Sequence, residues 1–263
     1  MTSLAERVGK RAARELGFEL KRIIDPAAKC LNLTTEAREL LATTDGEVKD
    51  FLTFCIGKST LSRSQILQDL FVAFETDGKR DGFFVEFGGT DGVTGSNSYM
   101  LENTYGWAGI VAEPARGWHP ALNRNRGCTI DYRCVSDRSG ERVIFNEAER
   151  PELSTIDRFS RSDQYAAVRR RGNRYPVETV SLNDLLDEHD APATFDYLSI
   201  DTEGSELTIL SAFDFDAHRP RIITVEHNHS PAREQLHSLL ESKGYRRKFD
   251  RLSQVDDWYV LAS

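Results

Sequence analysis

The stretch that most constrains this chain covers residues 84–92 and reads Phe-Val-Glu-Phe-Gly-Gly-Thr-Asp-Gly. Its apolar first half is typical of a buried strand, and its glycines permit a sharp turn where that strand ends. A glycine-rich turn also lets the backbone come close to a ligand. Glu86 and Asp91 place a carboxylate on each side of the turn. The stretch therefore predicts a strand followed by a ligand-binding loop.

Two further strand-like runs also end in carboxylates. Residues 107–114 lead to Glu113 and Pro114, and residues 195–202 lead to Asp201. In open α/β sheets, ligands bind in the crevice beyond the carboxyl ends of the strands. We therefore expect the acids at the three strand ends to face one crevice, and we interpret that crevice as a cofactor site.

Strand and helix patterns alternate from residue 64 onward, which is typical of βαβ units in a parallel sheet. Strands are predicted at residues 83–87, 108–112, 129–132, 177–180, 195–200, 221–226, 245–249 and 258–261. The last two are close enough in sequence to pair as an antiparallel hairpin. A further hairpin is predicted between Val135 and Phe145, with its turn at Ser139 and Gly140. The fold class is therefore α/β, with helices on both faces of the sheet.

Residues 1–63 are predicted as an N-terminal helical extension, and residues 64–263 as the main domain. In the extension, apolar residues recur every four positions at Leu4, Val8, Ala12, Leu16 and Leu20. This basic amphipathic helix can pack on its own domain, join two subunits as a homo-oligomer, or lie on an anionic membrane. Its glutamates and its lack of tryptophan favour packing. Within the main domain, the highly charged residues 146–175 predict an insertion that acts as a lid or binding loop.

Composition argues against several classes of protein. A net charge of −8 argues against a general nucleic-acid binder, because phosphate binding needs a clustered basic surface. No run approaches the roughly 20 apolar residues of a membrane span, and no secretory leader is visible. We therefore expect a cytoplasmic protein with no stable membrane insertion. The four cysteines match neither a zinc spacing nor a redox pair, which predicts reduced thiols.

The glycine-rich loop distinguishes between two kinds of cofactor. Residues 88–95 do not have the G-x-G-x-x-G spacing of nicotinamide folds, and Glu86 stands where such a strand is generally apolar. An acid there suits a cofactor with a cationic amino-acid part, such as S-adenosylmethionine. Glu113, at the tip of the next strand, can accept hydrogen bonds from ribose hydroxyls. A nicotinamide-dependent oxidoreductase and a non-catalytic nucleoside- or protein-binding relative of the fold are the alternatives.

Several motifs occur in an order that resembles the FkbM-type methyltransferase family. They are Ser64-Gln65 with Gln68-Asp69, residues 82–88, Asp91-Gly92, Ser96-Asn97, Leu101-Glu102, residues 106–109, Glu113-Pro114 and residues 201–206. The resemblance covers residues 64 to about 250. It implies a class I methyltransferase fold, a Rossmann-like three-layer sandwich whose mostly parallel seven-stranded sheet has an antiparallel C-terminal strand. It also implies S-adenosylmethionine-dependent O-methylation of a hydroxyl on a small-molecule or glycan acceptor, such as a sugar or natural product.

The resemblance implies roles for individual residues. Glu86, Gly88 and Asp91 are expected at the methionine part, Glu113 at the ribose, and residues 134–136 at the adenine. Ser96 and Asn97 would bind the methionine carboxylate through backbone N–H groups, or else cap a helix. The candidate cofactor-binding residues are Glu86, Phe87, Gly88, Asp91, Ser96, Asn97, Glu113, Pro114, Cys134, Val135, Ser136 and Asp201.

Two neighbouring strand ends carry the residues suited to catalysis. Asp201, Glu226 and His227 could bind a divalent cation, with carboxylates favouring Mg²⁺ or Mn²⁺. Such an ion would lower the pKa of an acceptor hydroxyl. Asp201, Glu203, His227 and His229 are the candidate catalytic residues, with the last three as candidate bases. Alternatively, Asp201 and Glu203 cap the helix that starts near Ser205.

Overall fold

A computed structural model describes residues 41–161 and 165–262. The helix predicted over Leu4 to Leu20 lies outside the described residues. The chain divides into two compact units, residues 1–53 and residues 54–263. The larger unit contains the predicted sheet and every predicted site residue, and it is described below.

The strands are β1 (Phe83–Phe87), β2 (Ala108–Ala112), β3 (Thr129–Asp131), β4 (Cys134–Ser136), β5 (Arg142–Glu147), β6 (Thr155–Ile156), β7 (Asn173–Ser181), β8 (Thr194–Ile200), β9 (Arg219–Glu226), β10 (Tyr245–Lys248) and β11 (Asp256–Leu261). The helices are α1 (Gly46–Lys58), α2 (Gln68–Glu75), α3 (Tyr99–Tyr105), α4 (His119–Asn125), α5 (Ala166–Arg169), α6 (Leu182–Glu188), α7 (Glu206–Ala212) and α8 (Arg233–Ser242).

Seven strands form the main sheet in the order β10-β11-β9-β8-β1-β2-β3. β11 runs antiparallel to both of its neighbours, and the pairs along the rest of the sheet are parallel. The antiparallel pairing of the last two strands confirms the predicted hairpin, and the sheet as a whole confirms the predicted fold class. The carboxyl ends of β1, β2, β8 and β9 therefore lie at one edge of the sheet.

The central strands are buried on both faces, which explains their almost continuous apolar sequences. Val85 of β1, Ile110 of β2 and Leu198 of β8 belong to the main apolar core. At the other end of the sheet, Trp258 stacks on Phe71 of α2 with ring centroids 4.9 Å apart. This stack packs α2 against β11.

A second sheet has the order β4-β7-β5-β6. The predicted hairpin between Val135 and Phe145 is wrong, because β7 lies between β4 and β5 and pairs with both. The last three residues of β7 pair in parallel with β4, and its first six pair antiparallel with β5. β7 is nine residues long and pairs with both β4 and β5, so these two strands do not pair with each other.

The charged residues 146–175 contain regular structure between the ends of β5 and β7. Short 3₁₀ turns cover Pro151–Leu153 and Asp157–Phe159, β6 pairs with β5, and α5 follows. Among the described residues, no helix is long and apolar enough to cross a membrane. The described cysteines, Cys55, Cys128 and Cys134, are free thiols.

Candidate active site

A cavity of about 610 Å³ opens at the carboxyl ends of the central strands. Its wall includes Gly88 after β1, Glu113 after β2, Asp201 after β8 and Glu226 at the end of β9. Residues 150–154, which belong to the charged segment 146–175, also line the cavity. A single cavity is thus lined by three of the acids that are predicted to face one crevice, namely Asp91, Glu113 and Asp201.

Eight of the candidate cofactor-binding residues line this cavity, namely Phe87, Gly88, Asp91, Glu113, Pro114, Cys134, Val135 and Asp201. Glu86, Ser96, Asn97 and Ser136 are not part of its wall. Among the candidate catalytic and metal-binding residues, Asp201, Glu203 and Glu226 line the cavity, whereas His227 and His229 do not.

Gly88 is required by a close approach between two strand ends. Its φ of 78° lies in the left-handed region, which favours glycine. A Cβ atom at this position would overlap the carbonyl oxygen of Asp201. The glycine therefore lets the loop after β1 pass directly beside the start of the loop after β8.

The Asp91 carboxylate shapes the glycine-rich loop. Its Oδ1 accepts hydrogen bonds from the backbone N–H groups of Val93 at 2.8 Å and Thr94 at 2.7 Å. This is a local turn in which a side chain replaces a backbone acceptor. Asp91 therefore fixes the loop, and its position in the cavity wall also leaves it beside a bound ligand.

Glu113 is buried at the tip of β2, and its two oxygens each accept one backbone hydrogen bond. Thr90 N–H lies 2.9 Å from Oε2, and Ala115 N–H lies 2.8 Å from Oε1. Burial raises the pKa of Glu113 to about 8, although these two hydrogen bonds act in the opposite direction. Each carboxylate oxygen keeps a further lone pair for a donor in the cavity.

Glu86 is predicted to lie beside a ligand, but it does not line the cavity. Its carboxylate is 2 % exposed and accepts hydrogen bonds from the hydroxyls of Ser96 at 2.9 Å and Ser98 at 2.5 Å. The backbone N–H of Asn97 also donates to it, at 2.5 Å. Arg126 Nη1 lies 3.4 Å away. In this structure Glu86 orders the segment before α3, which explains why that helix starts at Tyr99 and not at Ser96.

Asp201, Glu203 and Glu226 form a carboxylate cluster in the cavity wall. One oxygen from each of these side chains lies within 4.8 Å of the other two. Burial raises the pKa of Asp201, and the charge of Glu206 raises it further. Burial and the charge of Asp201 likewise raise the pKa of Glu226. Burial and mutual repulsion therefore disfavour the simultaneous ionisation of Asp201 and Glu226.

The loop that carries Glu203 is held by Glu206 at the start of α7. Glu206 Oε1 accepts from the backbone N–H groups of Thr202 at 3.0 Å and Gly204 at 2.9 Å. Glu203 itself has a φ of 59°, a conformation that costs free energy in a residue other than glycine. The loop thus holds Glu203 against the cavity instead of letting it extend beyond β8.

The Methyltransferase FkbM domain matches residues 86–247, which is more than half of the chain. The chain belongs to the FkbM methyltransferase family. A solved structure of the methyltransferase FkbM from Methylobacillus flagellatus KT is similar at 13% identity and a TM-score of 0.44, and the match covers 80% of this chain and 60% of that one. The chain thus spans less than two thirds of that FkbM protein.

A precorrin-6y C5,15-methyltransferase from Geobacter metallireducens GS-15 is also similar, at 13% identity and a TM-score of 0.43, with 77% of this chain and 91% of that chain covered. A fibrillarin/Nop5p complex gives 11% identity and a TM-score of 0.36, with coverages of 76% and 82%. A search of curated proteins finds no match. The FkbM domain match thus supports a family of methyltransferases and does not support the oxidoreductase alternative.

In this member of the FkbM family, the two histidines predicted near the catalytic centre lie outside the cavity. His227 follows Glu226, and because successive side chains of an extended segment point in opposite directions, its ring points away from the cavity. Its Nδ1 accepts from the backbone N–H of His229 at 3.0 Å, and its Nε2 lies 3.8 Å from Asp257. Burial lowers the pKa of His227. His229 is exposed.

Arg169 is a residue of this site that the sequence interpretation missed. It is fully buried, and its Nη2 donates to Glu203 Oε2 at 2.7 Å. The sequence shows it within a dense run with Arg170, Arg171 and Arg174, which is typical of a solvated surface. No local pattern marks which arginine of such a run is buried, so only the tertiary structure identifies it.

Proposed function

We propose that this FkbM methyltransferase uses S-adenosylmethionine to methylate a hydroxyl oxygen of a sugar, glycan or natural product. The observation that carries the proposal is the cavity that joins Gly88, Glu113 and Asp201 at three neighbouring strand ends. Its volume of about 610 Å³ is typical of small-molecule sites, which generally measure about 300 to 1,000 Å³.

The residues around the cavity fit the parts of this cofactor. Glu113 retains acceptor capacity for the two ribose hydroxyls, which are hydrogen-bond donors. Pro114, Cys134 and Val135 provide an apolar wall for the adenine on the side of β3. The close approach of Gly88 to Asp201 leaves backbone exposed to the methionine part. When bound, S-adenosylmethionine supplies a sulfonium methyl group, and methyl transfer to an alcohol leaves a neutral thioether and releases the hydroxyl proton.

The carboxylate cluster supports a second part of the proposal, a divalent cation held by Asp201, Glu203 and Glu226. Carboxylate oxygens are the ligands that Mg²⁺ and Mn²⁺ prefer. Three carboxylates this close repel one another when ionised, and a cation would offset the repulsion that Arg169, the ion-pair partner of Glu203, leaves between the other two. This set replaces the predicted His227 with Glu203. When bound, such an ion would lower the pKa of the acceptor hydroxyl.

Carboxylates are the candidate general bases among the described residues of the cavity wall. Asp201 and Glu203 are placed to accept the hydroxyl proton, whereas no histidine of the described chain lines the cavity. The loop held by Glu206 keeps Glu203 in place during this step. The charged segment contributes Leu153 and Tyr165 to the wall, where they would exclude water from the acceptor side.

Transfer of a labelled methyl group from S-adenosylmethionine to a panel of hydroxyl acceptors tests the proposal. The panel would contain monosaccharides, glycans and polyketides, and each reaction would be run with chelator and with added Mg²⁺ or Mn²⁺. We expect methyl ether formation with at least one acceptor, and loss of it in Asp201→Asn. Cofactor binding without transfer to any acceptor would favour the non-catalytic relative. Full activity in excess chelator would remove the cation from the mechanism.

A further inference from the structure

We propose that Arg63 binds the α-carboxylate of the methionine part of S-adenosylmethionine, an inference that rests on the proposed function. The residues predicted for this carboxylate, Ser96 and Asn97, do not line the cavity. Ser96 Oγ and the N–H of Asn97 are bound to Glu86 instead. A cofactor in this cavity therefore needs another partner for its carboxylate.

Arg63 lies in the cavity wall together with Ser64 and Gln65, beside the glycine-rich loop. The backbone N–H of Gly95 donates to the Arg63 carbonyl at 2.9 Å, and Ser64 forms an isolated parallel bridge with Gly95. The segment that carries Arg63 is thus attached to the end of the loop whose other residues, Gly88 and Asp91, also line the cavity.

Asp69 of α2 fixes the backbone around Arg63 from the buried side. Its Oδ2 accepts from the N–H of Arg63 at 2.8 Å. Its Oδ1 accepts from the hydroxyls of Ser62 and Ser64, both at 2.7 Å. The Asp69 charge is therefore bound by the backbone and hydroxyls of this turn, and the Arg63 guanidinium is directed elsewhere.

The Arg63 guanidinium has carbonyl partners only, within the part of the chain that the structure describes. Its Nη1 donates to the carbonyl oxygens of Thr60 at 3.2 Å and Ser62 at 2.9 Å. The other arginines of the cavity wall have carboxylate partners, since Arg133 pairs with Asp131 at 2.6 Å and Arg150 with Glu152 at 2.7 Å. Arg63 is therefore the wall arginine with capacity for a ligand carboxylate, which a guanidinium binds with two parallel hydrogen bonds.

The direction of the cofactor agrees with this assignment. The sheet order places β3 and β2 on one side of β1. If the adenine lies near Val135 and the ribose at Glu113, the methionine part would extend past Gly88 toward the loop that Arg63 contacts through Gly95. The carboxylate would meet the positive charge of Arg63, while Asp91 and Asp201 remain for the ammonium group.

Calorimetry with two ligands tests the assignment. S-Adenosylhomocysteine carries the amino-acid carboxylate, and 5′-methylthioadenosine lacks the whole amino-acid end. We expect Arg63→Met to lower the affinity for S-adenosylhomocysteine about ten- to a hundredfold, the usual effect of losing one charged hydrogen-bonding partner. The affinity for 5′-methylthioadenosine should not change. Arg80→Met is the matched control, because the Arg80 guanidinium also donates to a backbone carbonyl, that of Thr104 at 3.3 Å, and Arg80 lies outside the cavity wall. It should change neither affinity.

Three results would contradict the assignment. Unchanged binding of S-adenosylhomocysteine to Arg63→Met would show that the carboxylate is held elsewhere. An equal loss of affinity for both ligands would show that Arg63 shapes the cavity but does not bind the carboxylate. If the unmodified protein binds neither ligand, the proposed function fails, and the role of Arg63 fails with it. The first two results leave the proposed function intact.

Discussion

Arg169 and Glu203 form a buried ion pair, with Arg169 Nη2 donating to Glu203 Oε2 at 2.7 Å. Arg169 ends α5 in the charged segment, and Glu203 lies in the loop after β8. Arg169 Nε also donates to the carbonyl of Leu153, at 2.7 Å, in the part of the segment that lines the cavity. One side chain therefore connects the charged segment to the loop that carries the candidate chemistry.

Replacing Arg169 should destabilise the protein strongly. Arg169→Met leaves the Glu203 carboxylate buried without its guanidinium partner, which typically costs about 3 to 5 kcal/mol. The exposed neighbour Arg170 provides the control, since Arg170→Met should change the free energy of unfolding by less than about 0.5 kcal/mol. Urea unfolding of both variants measures the difference. Equal effects would mean that the Arg169–Glu203 pair adds no stability.

Substitution of Gly88 should be far more harmful than substitution of a glycine with the same backbone conformation. Gly88 and Gly140 have φ values of 78° and 77°, so alanine is strained by about 1 to 2 kcal/mol at either position. Only at Gly88 would the added Cβ meet a neighbour, the Asp201 carbonyl, whereas nothing lies within 4 Å at Gly140. We expect Gly88→Ala to lose cofactor affinity and stability, and Gly140→Ala to lose a little stability alone. Thermal unfolding and calorimetry distinguish these outcomes.

Divalent-cation binding should depend on the carboxylate cluster and not on His227. Titration with Mn²⁺, followed by electron paramagnetic resonance, should show weakened binding in Asp201→Asn and Glu226→Gln. His227→Asn should bind the ion as the unmodified protein does, because its ring lies outside the cavity wall. Loss of Mn²⁺ binding in His227→Asn, with the Glu226→Gln variant unaffected, would restore the predicted histidine ligand.

The pKa of Glu113 predicts a pH-dependent stability. In the folded protein this pKa is about 8, above the ordinary value of 4.5. The stability associated with protonated Glu113 is therefore fully present below pH 4.5 and is lost as the pH rises through about 8. Glu113→Gln does not titrate but loses one of the two backbone hydrogen bonds, so the comparison is of pH dependence: relative to this variant, the unmodified protein should lose up to a few kcal/mol of stability between about pH 4.5 and about pH 9. If the free energy of unfolding depends on pH in the same way in both proteins, the titration of Glu113 does not contribute to stability.

The sequence predicts the elements of the main sheet well because their signals are local. The apolar runs of β1, β2 and β8 are almost continuous, with Glu86 as the one charged residue of β1. Ser181 caps α6 by accepting from the N–H of Asp184 at 3.0 Å. The convergence of Glu113 and Asp201 follows from a general rule about strand ends in open sheets.

Side-chain direction and long-range pairing could not be predicted in the same way. Glu86 points to Ser96 and Ser98 because residues ten and twelve positions later fold back over β1. The placement of β7 between β4 and β5 depends on long-range pairing, because β7 begins at Asn173 and β5 begins at Arg142. Arg169 is distinguished from its arginine neighbours only by burial. Each of these depends on packing between segments that are distant in sequence.

The central claim is that the cavity binds S-adenosylmethionine through Glu113. Calorimetric titration of the unmodified protein and of Glu113→Ala with S-adenosylhomocysteine, with NADH as a comparison ligand, tests it most directly. We predict one S-adenosylhomocysteine site, no NADH binding, and an affinity about ten- to a hundredfold lower in Glu113→Ala. A folded protein that binds NADH instead, or that binds S-adenosylhomocysteine equally well without the Glu113 carboxylate, would contradict this account.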